Sequence, residues 1–88
     1  MKVKVEILAS PGCKKCAAAQ GELRAVAAAV VGEENLTWRE VNIREELDYV
    51  VALGAMSMPA IAINGALIFS SLPTAARFRA EMARLAAH

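Results

Sequence analysis

Cys13-Lys14-Lys15-Cys16 is the stretch with the clearest chemical potential. It follows a β-like run and a Ser10-Pro11-Gly12 turn, and it opens a long alanine-rich segment with helical character. Two thiols three positions apart in a first helical turn share one face and lie within disulfide reach. The unpaired N–H groups and macrodipole of that turn favour a thiolate over a thiol. Lys14 and Lys15 add positive charge that pushes the same way, which makes them thiolate-tuning candidates. Dithiols so placed have one thiol lowered from ~8.5 to between ~3.5 and ~7.5. Such a pair suits thiol–disulfide exchange.

Other uses of a CxxC pair are weighed by counting partners. A structural zinc site needs about four ligands. The other strong candidate here is His88, at the chain's last position, so no complete metal site within the chain is expected. A metal or cluster shared between two subunits stays open. Buried inert thiols fit poorly at an exposed helix start beside two lysines.

The elements that must position the thiols follow from the hydrophobic pattern. Val3, Val5 and Ile7 alternate with Lys2, Lys4 and Glu6, which predicts a strand, Lys2–Ala9, with one buried face and Glu6 on the polar one. From Cys13 the period changes: Leu23, Val26 and Val30 follow helical spacing, and Gly32 stands where a helix ends. Gly21 inside that helix costs up to ~1 kcal/mol relative to alanine, which close packing against a sheet would explain. Leu36–Ile43 reads as a second strand, at an edge, with Trp38 packing on the core. Asn42 and Glu45 fit a capping box for a helix whose apolar face is Leu47, Val50 and Leu53; Asp48 and Tyr49 fall on its solvent side. Met58 to Ile63 and Ala66 to Phe69 flank Asn64-Gly65, the dipeptide of a type I′ hairpin. Pro73 opens a last helix, capped by Ser71 or Thr74, with Phe78, Met82 and Leu85 inward and Arg77, Arg79, Glu81 and Arg84 outward.

The order is therefore βαβαββα in one domain over residues 1–88. The first two strands are parallel and the hairpin antiparallel, which makes an α/β sandwich with a four-stranded mixed sheet and helices on both faces. The CxxC lies at the C-terminal end of the first strand, where such sheets place their sites. The start of the third strand, with Pro59, comes to the same end because it runs antiparallel to the first.

Composition narrows the partners. A net charge of +1 gives no nucleic-acid stripe. No apolar run approaches the ~20 residues of a membrane span. Met1 to Glu6 lacks the order of a signal peptide, so a cytoplasmic location is expected. Two cysteines in that compartment point to catalysis more than to a structural bridge.

Ser10-Pro11-Gly12-Cys13-Lys14-Lys15-Cys16 and Ser57-Met58-Pro59-Ala60-Ile61-Ala62-Ile63-Asn64-Gly65 together resemble the thioredoxin superfamily, in particular the small glutaredoxin-sized thioredoxins and redox-active disulfide proteins of archaea and bacteria. The resemblance implies that Cys13 attacks and Cys16 resolves. It makes Pro59 a cis-proline facing the disulfide, with Gly12, Ser57 and Met58 beside it in the substrate-binding surface. It implies a protein-disulfide reductase with no bound cofactor beyond the Cys13–Cys16 disulfide. Its partners are then disulfide-containing proteins and a reductant, either thioredoxin-reductase-like or glutathione, and it acts as a monomer. Four departures stand out. Gly12 replaces the aromatic residue usual before the first cysteine, and Lys14-Lys15 replace Gly-Pro. Ile7 holds the place of the buried acid six residues before that cysteine, which leaves Cys16 without an evident proton acceptor. Phe69-Ser70 stand where glutaredoxins carry Gly-Gly. A glutathione-dependent glutaredoxin and a metal- or cluster-holding module remain the alternatives.

Overall fold

The computed structural model describes residues 2–87. His88, the further metal-ligand candidate, lies outside the described residues. The chain runs β1 (Val3–Ala9), α1 (Lys14–Val31), a 3-10 turn (Glu33–Asn35), β2 (Leu36–Asn42), α2 (Leu47–Leu53), β3 (Ala60–Ile63), β4 (Ala66–Phe69) and α3 (Ala75–Ala86). The four strands form one mixed sheet in the order β2-β1-β3-β4. β1 pairs parallel to β2, with Val5 opposite Trp38 and Ile7 opposite Glu40. It pairs antiparallel to β3, from Val5–Ile63 to Leu8–Ala60. This is the α/β sandwich expected from the order of elements.

Two apolar clusters divide at the sheet. Val3, Val5, Ile7 and Ala9 point to one face and meet Leu23, Val26 and Ala27 of α1 and Phe78 and Met82 of α3. Leu8 points to the other and meets Val41, Ala60, Ala62 and Val50 of α2. Phe78 is fully buried, with Trp38 edge-on at 6.3 Å and Phe69 tilted at 6.0 Å. Trp38 is thus a packing residue.

Local signals account for most of the ends. Asn64 and Gly65 both have positive φ, at 53° and 80°, as a type I′ turn demands. The Asn64 side-chain oxygen accepts from the Lys4 N–H at 2.9 Å and its own N–H donates to Lys4 O at 2.8 Å. That ties the hairpin to the start of β1. Thr74, not Ser71, caps α3 by accepting from the Arg77 N–H. β1 begins one residue later than expected, and β2 ends one earlier.

Five local expectations are corrected. The Asn42–Glu45 capping box does not form: Asn42 accepts from the Arg44 N–H at 2.9 Å in a turn, and α2 starts only after Glu46, whose side chain makes no cap bond. Leu47 is not on the apolar face of α2 and is 58% exposed. Tyr49 is half-buried and reaches the sheet instead of solvent. Glu6 is 1% exposed instead of lying on a polar face, because α2 covers the side of β1 that its alternation assigned to water. Gly21 has open space where a Cβ would stand, so close packing is not its reason.

Candidate active site

β1 ends at Ala9, and Ser10 to Gly12 turn the chain into α1. Gly12 sits at φ +80°, a conformation that glycine adopts at little cost. Cys13 is the N-cap of α1: its sulfur accepts from the Cys16 N–H at 3.2 Å. The two cysteines are joined as a disulfide, with Cα atoms 5.3 Å apart. Their surroundings differ. Cys13 is half-exposed, whereas Cys16 is 2% exposed and packs within the α1-side cluster. The helix dipole and the orphan N–H groups of the first turn are aimed at the Cys13 sulfur, which favours negative charge there once the bond is reduced.

Lys14 and Lys15 are both exposed, and among the described residues neither pairs with a carboxylate. They bring unneutralised positive charge to the rim of the disulfide. Among the described residues there is no group of three or more His, Cys, Asp and Glu that could hold a metal ion.

The second half of the site comes from the loop between α2 and β3. The Met58–Pro59 peptide is cis. The β1–β3 ladder stops at Leu8–Ala60, so Met58 and Pro59 continue past it, level with Ala9 and the turn that carries Cys13. Met58 packs its side chain against the α2-side cluster, while its backbone is not paired with a neighbouring strand. Ser57 donates its hydroxyl to the Ser70 carbonyl at 2.9 Å, which fastens the loop to the end of β4. Met56 beside it is 98% exposed. The topology thus brings the candidates Gly12 to Cys16 and Ser57 to Pro59 to one end of the sheet.

One cluster, midway along β1, was not legible in the residue pattern. On the α2 face, the Glu6 carboxylate accepts from the Tyr49 hydroxyl through Oε1. Its Oε2 accepts from Arg39 Nε at 3.0 Å and Nη2 at 2.7 Å. The same guanidinium donates to both Glu46 oxygens at 2.8 Å, and it lies 5.6 Å from the Tyr49 ring centroid. Lys4 Nζ is 3.9 Å from Glu6 Oε1. Burial pushes the Glu6 carboxyl up, but the hydrogen bonds from Tyr49 and Arg39 and the charges of Lys4 and Arg39 outweigh it and hold the group below its ordinary value. The bond to Glu6, with burial, pushes the Tyr49 phenol up. The sequence signal was a charged residue inside a strand flanked by helices on both faces, which leaves no polar face for it.

Comparison with known proteins agrees with this geometry. Residues 1–82 match the family described as thioredoxin domain. The thioredoxin of Methanocaldococcus jannaschii is 33% identical over 73 residues, which cover 83% of this chain and 84% of that protein. Among solved structures, the oxidised thioredoxin of Plasmodium falciparum superposes with a TM-score of 0.70 at 12% identity, over 97% of this chain and 82% of the other. Malassezia sympodialis thioredoxin gives 0.69 at 17% identity, over 94% and 74%. At those identities the two structures speak for the fold alone. The Cys13–Cys16 pair within this family supports thiol–disulfide oxidoreductase chemistry, and the chain belongs to the thioredoxin family.

Proposed function

We propose that the chain is a protein-disulfide reductase in which Cys13 attacks and Cys16 resolves. The observation that carries this reading is the unequal setting of two joined cysteines at one helix start, Cys13 half-exposed and Cys16 buried behind it. In the reduced domain the Cys13 thiolate attacks one sulfur of a substrate disulfide. A mixed disulfide forms and the first substrate thiolate leaves. Cys16, deprotonated, then attacks the Cys13 sulfur, restores the Cys13–Cys16 bond and releases the second thiolate. Two electrons pass to the substrate, whose thiolates take up two protons. The oxidised domain is re-reduced by an external dithiol or by glutathione. The two thiols are the whole redox apparatus of this proposal, with no bound cofactor.

Docking uses the free backbone edge at Met58, next to cis-Pro59, at the same end of the sheet as Gly12. An extended substrate segment pairs there by strand addition. Lys14 and Lys15 favour the thiolate and leave the rim positive. One copy carries both thiols and the docking edge, so the cycle runs in a monomer. A reducing compartment such as the cytoplasm suits the direction.

The test is a pair of serine variants with oxidised insulin chains as substrate and dithiothreitol as reductant. Cys16→Ser accumulates a mixed disulfide through Cys13, and Cys13→Ser is inactive. Equal activity of both variants would contradict the assigned roles. Coupling the wild type to thioredoxin reductase or to glutathione with glutathione reductase then identifies the class of reductant.

A further inference from the structure

The buried Glu6 takes no part in the thiol chemistry, yet it is bonded to the one helix that leads into the docking loop. α2 has seven residues, Leu47–Leu53, far fewer than the ~12–15 an isolated helix needs to persist. Its apolar anchorage is modest: Val50 is buried and Tyr49 and Leu53 are half-buried against the same cluster, while Leu47 is 58% and Val51 65% exposed. Its N-cap residue, Glu46, supplies no capping bond. Polar bonds take over that work. Tyr49 donates to Glu6, and Arg39 bridges Glu6 to Glu46. One carboxylate on β1 therefore holds α2 at its cap residue and in its first turn.

What α2 does reaches the docking edge within a few residues. The Gly54 N–H returns to Val51 O at 3.0 Å and the Ala55 N–H to Val50 O at 3.3 Å, so the loop leaves the helix in a set direction. Met58 packs on the same cluster as Val50. The loop's other polar tie is Ser57 to Ser70. We propose that Glu6 is a positioning residue for substrate docking: through Tyr49 and Arg39 it fixes α2 on the sheet, and α2 fixes the Met58–Pro59 edge. This rests on the reading of that edge as the place where a protein substrate pairs. Glu6 lies on the opposite face of the sheet from the Cys16 cluster, so its contribution reaches docking and not the thiols.

Tyr49→Phe removes the hydroxyl bond and keeps the ring. With insulin as substrate, it raises KM about three- to tenfold, with kcat unchanged. That is a fraction of the more than ~tenfold that a hydrogen bond to a charged group is worth, because only part of the loss reaches the docking edge. The rate with dithiobis(nitrobenzoic acid), a small disulfide that needs no strand pairing, stays at the wild-type value, as does the Cys13 titration. Amide exchange quickens at Ala55, Met56, Ser57 and Met58 and stays constant in α1. Glu6→Gln acts in the same direction; if it fails to fold, Tyr49→Phe decides. Wild-type KM and wild-type loop exchange in Tyr49→Phe overturn the proposal. Equal losses with insulin and with the small disulfide overturn it too, since the effect would then have reached Cys13. A wild-type protein that does not reduce insulin defeats the reductase reading, and the exchange comparison still tests whether Glu6 holds the loop.

Discussion

At Cys13 and Cys16 identical side chains three positions apart sit in different settings. Cys13 is the cap residue, with the helix N–H groups turned toward its sulfur. Cys16 is one turn in, under the cover of the α1-side cluster. Dipole and charge act on the former, burial on the latter, and burial disfavours a thiolate. Among the described residues the lysines between them have no carboxylate partner, so their field falls on the site without local neutralisation. Replacing both, Lys14→Glu with Lys15→Glu, is expected to raise the Cys13 pKa and slow its reaction with a small disulfide at neutral pH. The effect should shrink as salt rises, because exposed charges are screened within ~10 Å at 0.1 M. An ultraviolet thiolate titration that does not move leaves the helix terminus as the sole cause of activation.

The elements divide their labour unequally. α1 and α3 cover one face with buried Leu23, Val26, Phe78 and Met82, while α2 covers the other with Val50 and a polar cluster. α1 tolerates a glycine in its exposed interior. At Gly21 a Cβ meets nothing within 4 Å and the backbone is helical. Gly21→Ala is therefore expected to stabilise the protein by about 0.5–1 kcal/mol, through helix propensity and reduced freedom of the unfolded chain. Chemical denaturation reads this directly. A destabilised variant would reveal a contact of Gly21 that the fold does not display.

Across the whole molecule, β1 is the strand everything else is built upon, paired on both edges and covered on both faces. Its Glu6 links β1, β2 and α2, with Lys4, Arg39, Glu46 and Tyr49 as the titratable and charged groups around it. The Glu6 carboxyl lies below its ordinary value of 4.5 in the folded chain. Its contribution to stability is thus fully present above that value and is lost as pH falls through the lower folded-state one. Tyr49 lies above 10.0 when folded, so its contribution holds below that value and fades as pH rises through the higher one. The stability gap between wild type and Glu6→Gln should be widest near neutrality and narrow in acid. Denaturation midpoints measured from pH 7 down to about pH 3 check this, and a gap that stays constant over that range would contradict it.

The sequence by itself determined the order of elements, the parallel first pair of strands, the hairpin turn and the dithiol, because each is written in short-range signals. Alternation, helical spacing, Asn64-Gly65 and a CxxC at a helix start act within a few residues. Topology alone brought Pro59 to the CxxC end of the sheet. The placement of Glu6 and Tyr49 escaped that logic. Both look solvent-facing in their own segments, and only the seating of α2 on the second face of β1, a contact 43 residues apart in the chain, buries one and turns the other inward. The failed capping box at Asn42 has the same origin. α2 is too short and too weakly capped to declare its own start, so its boundaries follow from where Arg39 and Glu6 hold it. The unequal setting of Cys13 and Cys16 was legible in direction, since at a helix start the first thiol is the exposed one and the second faces the next turn. The depth at which Cys16 is covered was decided by packing of the α1-side core.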